Sequence, residues 1–446
     1  MKIKLLPILT GLFITTATMT SCLKSDTPDF EYVSDANIYV FNIDTIYGKT
    51  YNFSIDQANG LIFNQDSLPV ASDTIINKIL IKEISTRGAS VSHNGEFIAL
   101  TDSIDLTGPF ELNTKSITGE HAKTYTVNVN VHKQDPNLLE WVTMDQEIPA
   151  NFKDINKVTV SLGTSVFVYA ENGDAYKLES HKAGSWNNIT TSGIQVDENN
   201  KIKNVVKEND ILFLLAGTKV YKSNDGVIWE GIATNLEIET LLAVRNGNPY
   251  AMTRSNGTLK FCYFDNQQNT WLEGENVPNN FVKENLSSAP FQGNHGQNTS
   301  SMLMGSGIVG ATNLFAWTSN TGKTWTKLSD NINKAPCPLL DNPIMFRYND
   351  MMYTLGKREV IVVVEDDKKK EENEKPEEVK KIVYRLFTSV DGINWQLAPS
   401  KEQLKEEVYD KVIESVTVDE NNYIWFTCKD ESKIWRGRLN HLGFDK

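Results

Sequence analysis

Three short stretches decide the fold: Ser223-Asn-Asp-Gly-Val-Ile-Trp229, Ser319-Asn-Thr-Gly-Lys-Thr-Trp325 and Ser389-Val-Asp-Gly-Ile-Asn-Trp395. Each follows a strand-like run, at 219–222, 314–318 and 383–388. Each leads into a second short run that starts at its Trp. A tight turn between two antiparallel strands leaves backbone N–H groups unpaired. The hydroxyls of Ser223, Ser319 and Ser389 and the carboxylates of Asp225 and Asp391 can accept them locally, and the Thr321 hydroxyl can do so more weakly. Gly226, Gly322 and Gly392 supply a positive φ without steric cost. Trp229, Trp325 and Trp395 are large apolar plugs, suited to packing one unit on the next. Three copies at equivalent strand positions mark an internal repeat.

These stretches resemble the Asp-box of the sialidase-type (BNR) repeat, in a form one residue shorter than the commonest. The resemblance implies an all-β chain whose second part, 136–446, is a β-propeller. It also implies that Ser223, Asp225, Gly226, Trp229 and their counterparts are structural and lie away from the functional face. Degenerate copies fill the gaps: 175–178 leads through Ala183-Gly184 to Trp186, and 261–264 leads through Asp265-Asn266 to Trp271. Trp186, Trp229 and Trp271 stand roughly 40–45 residues apart, which suits one four-stranded blade each. Trp325 and Trp395 follow after longer intervals that need insertions. The ends complete the count. Trp141 begins a strand that lacks the earlier strands of its own repeat, and the C-terminal runs 423–427 and 433–439 lack the strand that should follow them. The two ends are therefore expected to share a blade, with the strand of Trp141 beside that of Trp435, so that no open sheet edge remains. Six blades result; seven is the alternative, with the extra blade between Trp271 and Trp325. A Kelch propeller fits less well, because the chain has no Gly-Gly pair.

The stretch 365–381 is almost wholly charged and lies between two apolar runs, which predicts a long hairpin with a disordered tip.

Before the propeller, short alternating runs recur at 37–44, 49–56, 61–63, 79–84, 96–100, 110–114 and 123–131. In the last, Tyr125, Val127, Val129 and Val131 fall on one face. About seven short strands over 31–135 suggest an Ig-like sandwich. Gln134-Asp-Pro-Asn137 marks the boundary.

The first 21 residues read as a signal peptide: Lys2 and Lys4, then an uncharged stretch too short to span a bilayer. Met19-Thr-Ser-Cys22 resembles a bacterial lipobox, which implies lipidation of Cys22. Residues 22–30 are a polar tether. The whole layout resembles two-domain surface lipoproteins of gut bacteria, which implies an outer-membrane address facing the cell exterior.

The chain carries 57 Asp+Glu against 44 Lys+Arg, a net charge of −13. That balance argues against a nucleic-acid partner, which needs clustered cations. Cys262, Cys337 and Cys428 are widely spaced and form no metal or disulfide pattern. Cys262 and Cys428 read as buried strand thiols, and Cys337, between two prolines, as a loop residue. The six His are scattered without ligand spacing, so no metal or other cofactor is indicated. His295, in a Gly-rich turn, reads as an exposed loop residue. Gly305-Ser-Gly-Ile-Val-Gly310 matches a dinucleotide fingerprint, but a strand-like run follows it where a helix is required, so it reads as a blade turn.

The Asp-box raises the question of a sialidase. That family implies three converging Arg, a Tyr–Glu pair and an Asp acid/base. The propeller holds Arg245, Arg254, Arg347, Arg358, Arg385, Arg436 and Arg438, with no spacing that draws three together. The sequence therefore points to a lipid-anchored surface protein with a non-catalytic binding propeller. Its expected partners are a glycan, a glycoprotein or an outer-membrane protein. A sialidase-like glycoside hydrolase is the alternative.

Overall fold

In the computed structural model the described residues are 34–144, 147–149, 152–179, 186–292, 299–307, 310–328, 335–364 and 377–444. The signal, Cys22, the tether, Ala183-Gly184, His181 and His295 lie outside them. Two compact units divide between Asp135 and Pro136.

The first unit has two sheets. β1 (Ile38–Ile43), β4 (Ile79–Thr86) and β7 (Ser103–Ile104) form one. The other runs β2 (Phe53–Asp56), β3 (Leu61–Asn64), β9 (Ala122–Asn128), β8 (Phe110–Lys115), β5 (Ser90–His93) and β6 (Glu96–Phe97). β3 and β9 pair in parallel, and the other strand pairs are antiparallel. Both sheets contribute to one core, with Ile38, Phe41 and Ile81 from the first and Ile62, Leu112, Tyr125 and Val127 from the second. Tyr125 and Val127 are buried as period two requires. The runs at 49–56 and 96–100 pair over only four and two residues, because ladder partners exist only for Phe53–Asp56 and Glu96–Phe97.

The second unit contains six four-stranded antiparallel sheets. In chain order their first strands are Lys157–Leu162, Ile202–Glu208, Ile238–Arg245, Glu284–Gln292, Asp341–Tyr348 and Ile413–Val418. The stretch between Trp271 and Trp325 is occupied by the long first and second strands of the fourth sheet, Glu284–Gln292 and Thr299–Ser306. In the sixth sheet the outer strand is Leu139–Thr143, from the opposite end of the unit. Trp141 faces Gly437 and Thr143 faces Trp435 across this pairing. A side chain at Gly437 would strike the Trp141 ring, so the close seat of Trp141 depends on that glycine.

Between neighbouring sheets lie six apolar clusters, and each contains one of the spaced tryptophans: Trp141, Trp186, Trp229, Trp271, Trp325 and Trp395. None is more than 8% exposed. Each therefore joins two sheets whose strand ladders are separate.

Three expectations change. Cys337 is buried and pairs with Leu314 in a two-residue ladder. Its flanking prolines lack only donors, and a short ladder at Cys337 needs none from them. The run at 314–318 is split, since Asn313–Leu314 pairs with Cys337–Pro338 while Trp317–Ser319 joins the fourth sheet. In the charged insertion, Glu377–Lys381 is strand, paired with Val360–Val364. A ladder uses backbone groups, so charged side chains do not prevent it. Residues 365–376 lie outside the description.

Candidate functional site

The repeat turns close the outer side of the sheets. In the first copy the Ser223 hydroxyl accepts from Gly226 N at 2.9 Å and donates to Asp225 at 3.0 Å. Asp225 Oδ1 accepts from Val227 N and Ile228 N, both at 2.8 Å. The third copy repeats this: Ser389 accepts from Gly392 N at 2.8 Å, and Asp391 Oδ1 accepts from Ile393 N and Asn394 N at 2.8 Å. Burial would raise both carboxyls, yet these N–H donors hold Asp225 and Asp391 below the ordinary carboxylate value. In the middle copy Ser319 accepts from Gly322 N at 2.8 Å, but Thr321 collects one long bond, from Lys323 N at 3.4 Å.

All three glycines have φ between 71° and 74°. Each also lies against the second strand of the preceding sheet. A Cβ at Gly226 would stand 2.8 Å from Phe167, one at Gly322 would strike Tyr250, and one at Gly392 would strike Met302. The turn is thus fixed twice, by its own donors and by the neighbouring sheet. Trp229, Trp325 and Trp395 are 3%, 5% and 3% exposed. The Ser and Asp oxygens of these turns are engaged by N–H groups of their own loop.

The centre differs. Residues from the first strands of all six sheets line one cavity of about 1230 Å³. A first strand has a sheet partner on one side only, so its other backbone edge faces the cavity. Side chains from the neighbouring first strand stitch part of that edge. Ser415 Oγ accepts from Thr159 N at 2.9 Å and Thr417 Oγ1 from Ser161 N at 3.0 Å. Asn204 donates to Leu241 O at 2.8 Å, and Ser287 Oγ accepts from Met345 N at 2.7 Å. These links join like positions along each strand, so neighbouring first strands run in the same direction around the cavity. One mouth therefore lies where they begin and the other where they end. Hairpins between second and third strands stand at the beginning mouth, and the repeat turns stand on the opposite side.

Among the described residues the lining holds seven cations: Lys157, Lys203, Lys207, Arg245, Lys283, Arg347 and Lys429. It holds two acids, Glu208 and Glu414. Lys157 has a fully buried side chain, donates to the carbonyls of Phe152, Ile155 and Lys429, and pairs with Glu414 at 3.2 Å. Burial pushes the Glu414 carboxyl up, and Lys157 offsets part of that rise. Glu208 accepts from Gly247 N at 2.7 Å. Lys207 donates to Ser161 at 2.7 Å. The surrounding walls lower its ammonium pKa, although its surface still meets the water of the cavity. Arg347 pairs with the exposed Asp350 at 3.0 Å.

The arrangement expected of a sialidase is not assembled by the described residues. Of the seven arginines only Arg245 and Arg347 line the cavity, and no described Tyr does. Arg254 is held by Glu239 at 2.7 Å, and Arg436 and Arg438 lie over Tyr423 at 4.3 and 4.2 Å. A Tyr–Glu hydrogen bond does exist, Tyr353 to Glu402 at 3.1 Å. Tyr353 belongs to the buried cluster between the fifth and sixth sheets, and burial pushes its phenol well up, the reverse of what a nucleophile needs. Among the described residues no group of three His, Cys, Asp or Glu could hold a metal ion. Cys262, Cys337 and Cys428 are free and buried, and burial raises all three thiols, Cys337 to about 12. Gly305 lies within the strand Thr299–Ser306, so the fingerprint match opens no helix there.

The lysines of the cavity were not singled out by the sequence. Lys203 and Lys283 share a place at the start of a first strand, visible only after the strands are aligned, while Lys429 follows a second strand and shares no such place.

Radially stacked sheets with one central cavity and a strand exchanged between the ends make this unit a β-propeller. The chain belongs to the DUF6242 family: its β-propeller domain model matches residues 135–446, and the N-terminal domain model, described as of unknown function, matches residues 19–129. No curated protein matches. Similar solved structures include a streptogramin B lyase, at 10% identity and a TM-score of 0.39, covering 68% of this chain and 98% of that one. YCF48 from Cyanidioschyzon merolae is also 10% identical, with a TM-score of 0.34, covering 67% and 98%. Zg3597, a family 117 glycoside hydrolase from Zobellia galactanivorans, is 12% identical with a TM-score of 0.31, covering 70% and 94%.

Proposed function

We propose that this protein is a lipid-anchored surface receptor of the outer membrane whose propeller binds its ligand in the central cavity. Cys22 carries the lipid, an Ig-like module at 31–135 acts as spacer, and six blades, one per four-stranded sheet, surround the site. The ligand is a glycan, a glycoprotein or an outer-membrane partner, held without turnover. The observation that carries this reading is the cavity itself, into which five first strands, and Lys283 just before the remaining one, bring charged groups. A glycan array and a pull-down from outer-membrane extract test it, each with wild type and with a folded Ser288→Trp variant that fills the cavity. Capture lost in the variant is expected. Capture that survives Ser288→Trp contradicts the cavity as the site. Release of sugar from a captured glycan would replace the receptor with the glycoside hydrolase reading. The anchor is tested separately by labelled palmitate, which should enter wild type and not Cys22→Ser.

A further inference from the structure

The charges of the cavity contrast with those of the chain. The whole protein is acidic at −13, yet the cavity lining carries seven cations and two acids among the described residues. An acidic chain gains nothing in stability by gathering lysines around a water-filled space, where they repel one another. The two mouths also differ. At the ending mouth the cations stand among acids: Glu208 lines the wall, Asp350 pairs with Arg347, and Asp210, Asp419 and Glu420 act on Lys207.

At the beginning mouth Glu284 and Asp341, the first residues of their strands, are exposed but lie outside the lining, and three further acids are already engaged. Glu414 is paired with buried Lys157, Glu171 with Lys201 at 2.8 Å, and Glu239 with Arg254. Three lysines stand there in the lining. Lys203 is the second residue of its strand, Lys283 immediately precedes its own, and Lys429 N bonds Val412 O just before the strand Ile413–Val418. They belong to the second, fourth and sixth sheets, which alternate around the cavity. All three are exposed, and Lys203 and Lys283 make no ion pair among the described residues. The nearby lining is amide and hydroxyl: Asn156, Asn204, Thr240, Asn285 and Asn342. No described Trp or Tyr lines the cavity, so stacking on a flat sugar face is not its main source of affinity.

We infer that the mouth formed by Lys203, Lys283 and Lys429 is a binding site for a multiply anionic ligand, an oligosaccharide bearing carboxylate or sulfate groups. This rests on the reading of the cavity as the binding site and specifies what enters it. Three ammonium groups from alternate sheets surround a ligand with several separated charges, and the surrounding amides and hydroxyls meet its hydroxyls. Salt weakens such binding, because exposed charges are screened.

The test is calorimetry on the whole protein with trigalacturonate, sulfated galactotriose and neutral galactotriose at low and high salt. Trigalacturonate and sulfated galactotriose report carboxylate and sulfate separately. At least one of the two anionic probes is expected to bind, to lose affinity with salt, and to bind at least tenfold more weakly to Lys203→Gln/Lys283→Gln. Lys222→Gln, outside the cavity lining, is expected to change affinity less than threefold. Equal binding of galactotriose, or unchanged binding to the double variant, overturns the inference. Failure of both anionic probes overturns it as well. The receptor reading is judged independently by the Ser288→Trp capture experiment, so the two can fail separately.

Discussion

The outer turns and the central cavity of the propeller use polar groups in opposite ways. At the turn of Asp391 the carboxylate and the Ser389 hydroxyl gather N–H groups of their own loop, and the glycine and tryptophan are locked against other sheets. In the cavity lining, Lys203 and Lys283 make no ion pair among the described residues. Polar groups that satisfy one another hold a fold together. Polar groups left without partners in a shared cavity remain free for something else. The most recognisable motif of this sequence therefore holds its own turns together.

This contrast can be broken most forcefully at the rim. Trp229→Ala empties a site between the first and second sheets, where Trp229 packs edge-on to Tyr169 at 5.8 Å. Large-to-small changes of this kind cost about 3–5 kcal/mol, and chemical denaturation should show a loss of that size. Gly322→Ala comes next. It needs a Cβ at φ 71° and meets the Tyr250 ring, so about 2–4 kcal/mol is expected from strain and overpacking together.

The three turns also form a graded series. Asp391→Ala leaves two N–H groups without their acceptor and should cost about 1–2 kcal/mol, as loss of a helix cap does. Thr321→Ala should cost well under 1 kcal/mol, since Thr321 holds one long bond. Thr321→Asp should stabilise, by about 0.5–1 kcal/mol. A destabilised Thr321→Asp would contradict the account of these turns.

Acid separates rim from cavity by sign. The Asp391 carboxyl is held below its ordinary value, so its contribution is complete above the unfolded-state pKa and disappears as pH falls through the lower folded one. The stability gap between wild type and Asp391→Asn should therefore close in acid. Glu414 is raised, so the unfolded chain loses that proton first, and stability falls as pH climbs from the ordinary glutamate value through the raised one. Glu414→Gln should remove that slope. Denaturation midpoints across pH 3–7 (roughly the range in which carboxyls titrate) check both. The smallest effect on folding is expected at the beginning mouth, where Lys203→Gln and Lys283→Gln should stay within about 0.5 kcal/mol of wild type.

How much was legible in the sequence follows from the same contrast. A turn motif is local: Ser, Asp, Gly and Trp within seven positions carry the whole hydrogen-bond set, so the rim could be read directly. The six tryptophans were legible for a related reason, since one residue type recurs at one place in each sheet. The pairing of Leu139–Thr143 with the C-terminal strand could be reasoned from what each end lacked. The cavity offers no such pattern. Lys203, Lys283 and Lys429 come from different loop and strand positions and become neighbours only when the ring closes. Net charge even pointed away from them, because a total of −13 hides a cationic centre. Cys337 misled for another reason: flanking prolines argue for a loop, yet two residues of ladder suffice to bury it.

The division of labour between rim and cavity is tested most directly by thermal unfolding of wild type, Asp391→Ala and Lys203→Gln/Lys283→Gln, each with and without saturating trigalacturonate. A ligand that binds only the folded protein raises its Tm, by an amount set by affinity and concentration. The account predicts similar rises for wild type and Asp391→Ala, despite the lower starting Tm of the latter, and little or no rise for the double lysine variant. A rise retained by the lysine variant and lost in Asp391→Ala would contradict it.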